Sequence, residues 1–499
     1  MEEYKVLLKK IKEYIVLDQI ENILNWDFET HMPPKGVKQR AEELAMIAAL
    51  KHDKIADPEI GELLKRIKND PNYSSLNDLE KRDIYLIERK YKMESKIPKE
   101  LVEELAKQKP IAIDAWKRAK KEVNYLLFKP ELDKIVELTK KKAHHLDSDK
   151  EPFDALVEEY EPGLSSAQYT TLFNELKKGL IPIIQKCVSS PKQPDLSLIK
   201  RKCPIEIQKQ VSQDISKLVH YDLDRGRIDE TEHPFTTGYY DDVRITTHYY
   251  EEDFSDSFYS VLHEAGHGLY EQNLSQEYKY QLVGESSSYG VHESQSRLIE
   301  NLIGRSREFW EFYLPKLKKM TGDVFSDIEL DPFIHAINLV KPSKIRIAAD
   351  EVTYSLHIII RFEIERDLLS GKITTEQLPE IWNSKYKEYL GVNIENDSEG
   401  VLQDTHWAGG SFSYFPSYAM GNIYNAQMLA KIAEDIPDYR EFMKKGQLKP
   451  IIDWLIEKIH TPSNLYDPIE LIRKITGEEI NPKYFIDYLE EKYSKIYGF

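Results

Sequence analysis

Apolar positions recur every three or four residues through most of this chain, the period of helices that bury one face. The opening stretch MEEYKVLLKKIKEYIVLDQIENIL interleaves such positions with acids and lysines, and predicts an amphipathic helix over Glu2–Trp26. The same reading predicts helices over Lys38–Lys51, Asp78–Ser95, Pro98–Glu122, Pro130–His145, Ser166–Lys186 and Ile205–Leu218. Later in the chain it predicts Arg307–Thr321, Ala349–Leu368, Thr375–Leu390, Met420–Asp435 and Asn481–Ser494. Turn-rich breaks fall at Asn69–Asn77, Ser189–Asp195 and Ile394–Gly400. One stretch departs from the helical period. Phe235–Tyr250 is dense in Thr, Tyr, Val and Ile, and predicts a small antiparallel β-sheet whose edge can pair with an extended peptide.

The expected fold class is therefore mainly α. Length alone suggests about three domains. The absence of a flexible linker, of repeats and of low-complexity tracts favours one domain over residues 1–499. The expected form is one large helical body, with the small sheet beside one central helix.

That central helix is predicted over Asp253–Asn273, with Ser255 or Asp256 as its cap and an apolar stripe of Phe258, Val261, Leu262, Ala265 and Leu269. It contains VLHEAGHGLY, an HExxH pattern at His263, Glu264 and His267. Positions i and i+4 share one helical face, so two imidazoles can converge on one ion. Glu264 points beside the pair, where a carboxylate can take a proton from an activated water. With 14 His and 86 acids in 499 positions, about 0.07 such patterns arise by chance. Gly266 and Gly268 weaken the helix by about 1 kcal/mol each, which points to tight packing. Catalytic zinc sites commonly carry a third protein ligand. In GVHESQSRLIENLIG, itself helical in pattern, both Glu293 and His292 qualify, but they lie about 100° apart around the helix.

Several further strings carry a family resemblance: NWDFETHMP at Asn25–Pro33, HPFTTG at His233–Gly238, DDVRITT at Asp241–Thr247, HES at His292–Ser294, IRIAAD at Ile345–Asp350, GVLQDTHW at Gly400–Trp407 and YFPSY at Tyr414–Tyr418. In this order and span the chain resembles the carboxypeptidase Taq family of thermostable metallocarboxypeptidases. His248 departs from the family, which more often has Arg there. The resemblance implies two helical lobes around a deep active-site groove and a homodimeric enzyme that removes C-terminal residues with broad specificity from peptides carrying a free C-terminus, while composition and cysteine usage suit a cytoplasmic location. It implies one divalent metal per subunit, zinc in the first instance and cobalt as the alternative, held by His263, His267 and Glu293, with Glu264 as general base. It places His406 and Tyr418, with Tyr414 in reserve, as donors to the oxyanion. Arg346 becomes the candidate for the terminal carboxylate and Arg244 a second one, because a guanidinium grips a carboxylate through two parallel bonds. An ion pair with Asp350 is the structural alternative for Arg346. Asp350 is also a candidate to orient a ligating imidazole, and Gln403 and Asp404 are expected to shape their loop. A zinc endopeptidase or oligopeptidase using the same residues, and a non-hydrolytic scaffold, are the competing functions.

Composition narrows the partners. Lys and Arg number 69 against 86 acids, a net charge of −17, with no basic stripe, which argues against nucleic acid. Charged residues make up 31% of the chain, weighted to Lys and Glu, as in thermophiles. No run approaches the roughly 18 apolar residues of a membrane span. Cys187 and Cys203 form no zinc or disulfide pattern and are expected as free thiols.

Overall fold

The computed structural model describes residues 2–499. Helices form over nearly every stretch whose apolar period predicts one. Ile205–Leu218 and Arg307–Thr321 form with the predicted bounds, and the first helix runs on to Thr30. Two starts differ. The helix expected from Ala349 begins at Tyr354, because the Asp350 carboxylate accepts the backbone N–H groups of Val352 and Thr353 and holds a turn there. The helix expected from Met420 begins at Pro416, whose fixed φ suits a first turn. Short helices at Pro58–Asn69, Pro152–Val157, Leu330–Ile337, Tyr439–Lys444, Lys449–Leu455 and Pro468–Thr476 fill gaps in the reading.

The sheet is mixed rather than antiparallel. It has strands β1 (Gly226–Glu230), β2 (Thr236–Tyr239) and β3 (Asp242–Thr247), in the order β1-β3-β2. β2 and β3 form the expected hairpin, with Thr236 opposite Ile245 and Tyr239 opposite Asp242. β1 adds to the far side of β3 in parallel, Ile228 opposite Ile245. Its sequence GRIDE alternates no apolar face, and only Asp229 is buried, so no strand signal stands out there.

The sheet packs on the helix Phe254–Gln272, which carries the HExxH residues. Neither Ser255 nor Asp256 caps it. Asp253 occupies the cap position without accepting a backbone N–H of the first turn, and its carboxylate accepts the Ser255 hydroxyl instead. Across this helix lies Tyr289–Arg297, which continues through Leu298–Ile303 as a π-helical turn. The two glycines of the pattern do bring close packing. A Cβ on Gly266 would stand 2.6 Å from Ser296 Cα, and one on Gly268 would stand 2.7 Å from the Tyr221 ring. On the other side, a Cβ on Gly421 of the helix Pro416–Asp435 would stand 2.6 Å from Glu293 Cγ. The segment bearing Glu293 is thus pressed between two helices, with glycine at each point of closest approach.

One apolar core runs from Tyr4 to Tyr497. Cys187 and Cys203 are buried free thiols. No helix among the described residues is long and apolar enough to cross a membrane.

Candidate active site

His263 and His267 emerge from successive turns of the HExxH helix and face Glu293 across the helix crossing. His263 Nε2 lies 3.7 Å and His267 Nε2 3.4 Å from Glu293 Oε2. The three ligand atoms all lie within 4.8 Å of one another, close enough to share one cation. Glu264 is only 6% exposed. Thr236, at the start of β2, donates to its carboxylate Oε2 at 2.7 Å and to its backbone oxygen at 3.0 Å. Burial raises the Glu264 carboxyl above its usual range, against the opposing pull of His263 and the Thr236 bond.

The outer nitrogens of both imidazoles are taken. His263 Nδ1 sits 2.9 Å from Glu300 Oε2. His267 Nδ1 meets Nδ1 of His292, whose Nε2 lies 2.9 Å from Glu271 Oε1. This chain of partners has one consistent proton assignment. Glu271 accepts from His292 Nε2–H, His292 Nδ1 accepts from His267 Nδ1–H, and both Nε2 lone pairs are left free towards Glu293. His292 thus contacts the outer edge of His267, and the group of ligand atoms close enough to share one ion contains Glu293 and not His292. Arg297 Nε donates to Glu293 Oε1 at 2.7 Å, and its Nη1 to Glu300 Oε2 at 3.2 Å.

Electrostatics keeps the acids ionised. Burial pushes Glu293 up, but Arg297 and the two imidazoles outweigh it and hold the carboxyl far below its usual range. Glu300 is brought to about 2 in the same way, burial being overcome by Arg297 and His263. Burial, with His292 and His263 adding to it, lowers His267 to about 3, so its imidazole is neutral at pH 7. For His263 burial is outweighed by Glu293 and Glu300, and its pKa rises. Two imidazole lone pairs and an ionised carboxylate form a donor set that fits a divalent ion such as zinc. Outer partners of this kind commonly govern affinity. His292→Ala is accordingly expected to weaken metal binding about 10- to 100-fold. Competition with a chelator measures this, and unchanged affinity would deny His292 any part in orienting His267.

The loop partners lie beside this group. Arg346 is buried, and its Nε and Nη2 both donate to Asp404 Oδ1, at 3.1 and 2.9 Å. Its Nη1 donates to Tyr354 OH at 3.2 Å. Two of its five N–H donors remain for a ligand. The pair is with Asp404, not Asp350. Asp350 accepts backbone N–H groups from Lys341, Val352 and Thr353 and touches neither imidazole. Asp404 also binds the fully buried Arg361, and Gln403 accepts from Arg346 N–H and Arg361 Nη2, so both loop residues shape the loop as expected. Tyr418 lies with its ring 5.4 Å from the Arg346 guanidinium carbon and 5.3 Å from the Tyr414 ring. Burial raises its phenol well above the usual value, which keeps it a donor. The His406 ring lies tilted against Phe415, 4.4 Å between centroids, and its buried Nδ1 has no partner. Burial lowers it to about 4, against the pull of Asp404, so it is neutral at pH 7. Arg244 is placed differently. Its fork grips Asp242 through two 2.8 Å bonds and its face lies 4.1 Å from the Trp26 ring.

The comparisons with known proteins agree with this geometry. Residues 6–493 match the model of the Carboxypeptidase Taq (M32) metallopeptidase family. The chain belongs to the M32 family. Carboxypeptidase 1 of Bacillus subtilis is 39% identical, over 99% of this chain and 98% of that one. Thermostable carboxypeptidase 1 of Thermus thermophilus is 38% identical over 99% of both. The crystal structure of the M32 carboxypeptidase from Deinococcus radiodurans superimposes with a TM-score of 0.97 at 32% identity, over the full length of both chains. The chain is thus a metallocarboxypeptidase, a hydrolase of peptides, and M32 membership implies a divalent metal. Among the described residues, His263, His267 and Glu293 form a group close enough together to hold such an ion.

Several M32 site neighbours escaped the sequence reading. Arg297 and Glu300 follow Glu293 by one and two turns, and Glu271 follows His267 by one turn, so helical spacing held a signal for all three. Thr236 lies in the HPFTTG string without a role assigned to it, and Tyr354 and Glu161 carried no local signal. Glu161 accepts from Gly290 N–H, Ser288 Oγ and Tyr424 OH, and so fixes the start of the helix that bears Glu293.

Proposed function

We propose that this M32 carboxypeptidase binds one zinc or cobalt ion through His263 Nε2, His267 Nε2 and Glu293, and removes single residues from free peptide C-termini with broad specificity. The observation that carries the proposal is the convergence of both imidazole lone pairs on one ionised carboxylate, with a second, buried carboxylate beside them. When bound, the ion would lower the pKa of water and polarise the scissile carbonyl.

The chain's own groups do the rest. Glu264, with its carboxyl raised toward neutrality, takes a proton from water as the water oxygen adds to the carbonyl carbon. Thr236 holds the receiving carboxylate in place. Tyr418 donates to the developing oxyanion, and neutral His406 has an N–H to add. The C–N bond then breaks, and Glu264 hands its proton to the leaving amine, giving a free amino acid and a shortened peptide. Arg346 meets the terminal carboxylate with its two unused N–H groups. Its bonds to Asp404 and Tyr354 fix the guanidinium plane. Arg244 is the secondary candidate for that carboxylate, with less support because Asp242 and Trp26 hold it.

The test compares a free-acid peptide with its C-amidated twin, each with and without chelator. The expected result is amino-acid release from the free acid alone, abolished by chelator. Cleavage of the amide at equal rate would indicate an endopeptidase. Arg346→Ala should lower kcat/KM on free acids roughly 10- to 100-fold, the worth of one charged hydrogen-bonded contact. Asp404 keeps Arg361 in that variant, so the fold should persist. Equal loss on free and amidated peptides would remove Arg346 from carboxylate recognition.

A further inference from the structure

Tyr289 is out of keeping with its surroundings. It opens the helix that carries Glu293, in which Gly290, Val291 and Glu293 through Ser296 are buried, yet it is 52% exposed. It is not a loose surface ring. Tyr160, Tyr289 and Tyr414 pack pairwise edge to face, with centroids 5.6 Å apart for Tyr160 and Tyr289, 5.2 Å for Tyr160 and Tyr414, and 5.6 Å for Tyr289 and Tyr414. Tyr289 N–H donates to Tyr160 O at 3.1 Å, and the adjoining Glu161 accepts the next N–H, that of Gly290, at 2.8 Å. A rigid aromatic triad, with one member offered to solvent, costs little entropy when an apolar group settles on it.

Its place along the helix assigns the group it meets. Tyr289, Glu293 and Arg297 occupy successive turns of one face. The guanidinium of Arg297 lies 4.5 Å from the Tyr354 ring, and Tyr354 OH receives Arg346 Nη1. Tyr289 thus lies one turn before Glu293, and Arg346 is reached through Tyr354 from Arg297, one turn after it. Four helical residues rise about 6 Å, a span that a large side chain can cross. With the terminal carboxylate at Arg346 and the scissile carbonyl at the metal group, the penultimate residue, which carries that carbonyl, can extend its side chain to Tyr289.

We infer that Tyr289, backed by Tyr160 and Tyr414, is a specificity-determining shelf for the side chain of the penultimate residue, favouring aromatic and long apolar residues there. The inference rests on the carboxypeptidase reading above and deepens it.

Two peptide series test it on the metal-loaded enzyme: Ala-Ala-X-Ala and Ala-Ala-Ala-X, with X as Phe, Leu or Ala, assayed with and without chelator. The wild type should favour Phe over Ala at the penultimate position about tenfold, the scale of one aromatic pair beyond simple burial. Tyr289→Ala should reduce that ratio to within about twofold and leave the terminal-position ratios unchanged, while Tyr289→Phe should keep the preference. A penultimate preference that survives Tyr289→Ala, or equal loss across both series, would overturn the shelf. Release that is absent or indifferent to chelator in the wild type would overturn the underlying reading, and the shelf with it.

Discussion

Glu264→Gln is expected to keep the bound metal and to lower kcat by about 10²- to 10⁴-fold, the usual contribution of a positioned general base. The two halves of that result have separate causes. Glu264 is not among the three groups that converge on the candidate metal position, so an amide there leaves the ligand atoms untouched. The amide oxygen can still accept the Thr236 hydroxyl, which now reaches the carboxylate at 2.7 Å, so the side chain should keep its place. What disappears is the ability to receive and return a proton. Burial raises this carboxyl, and a base works best when its pKa approaches the working pH. Metal content by mass spectrometry and kcat at saturating peptide check the two halves independently. Full turnover in the variant would reject Glu264 as the base.

Glu293→Gln is expected to do the reverse, emptying the metal position while the fold survives. The amide has the shape of the carboxylate and can still accept Arg297 Nε, now at 2.7 Å. It carries no charge, so the cation loses its one anionic ligand. The expected fall in affinity exceeds the roughly 10- to 100-fold loss set by an outer partner such as His292. Activity should fall to background unless metal is supplied in large excess. Arg297 retains Glu300 as a counter-ion, so collapse of the buried charges is not expected. Equilibrium dialysis, together with a thermal melt of the metal-free protein, separates lost coordination from lost folding. Wild-type affinity would remove Glu293 from the ligand set.

Features fixed by local periodicity were legible in the amino-acid sequence. The helices show one-sided apolar patterns, and His263 and His267 share a face by spacing alone. Features fixed by approach between distant segments were less so. β1 offers no apolar alternation, because its partner β3 supplies the buried contacts, and so the parallel half of the sheet stayed hidden. The choice between His292 and Glu293 depends on how one helix is rotated against another, about 100° per residue, and the glycines at positions 266 and 421 set that crossing. Asp350 reads as a partner for an imidazole or for Arg346, yet it serves the backbone, accepting two N–H groups of its own turn and that of Lys341 from the preceding loop. Asp404, read as a loop residue, proves to be the counter-ion of two buried arginines, a role visible only once the strings IRIAAD and GVLQDTHW are brought together.

Anomalous diffraction from crystals grown with zinc or cobalt tests the central claim most directly. The account predicts one ion per chain, about 2.0–2.2 Å from His263 Nε2, His267 Nε2 and a Glu293 carboxylate oxygen. An ion bound elsewhere, or these three side chains turned away from it, would contradict the account.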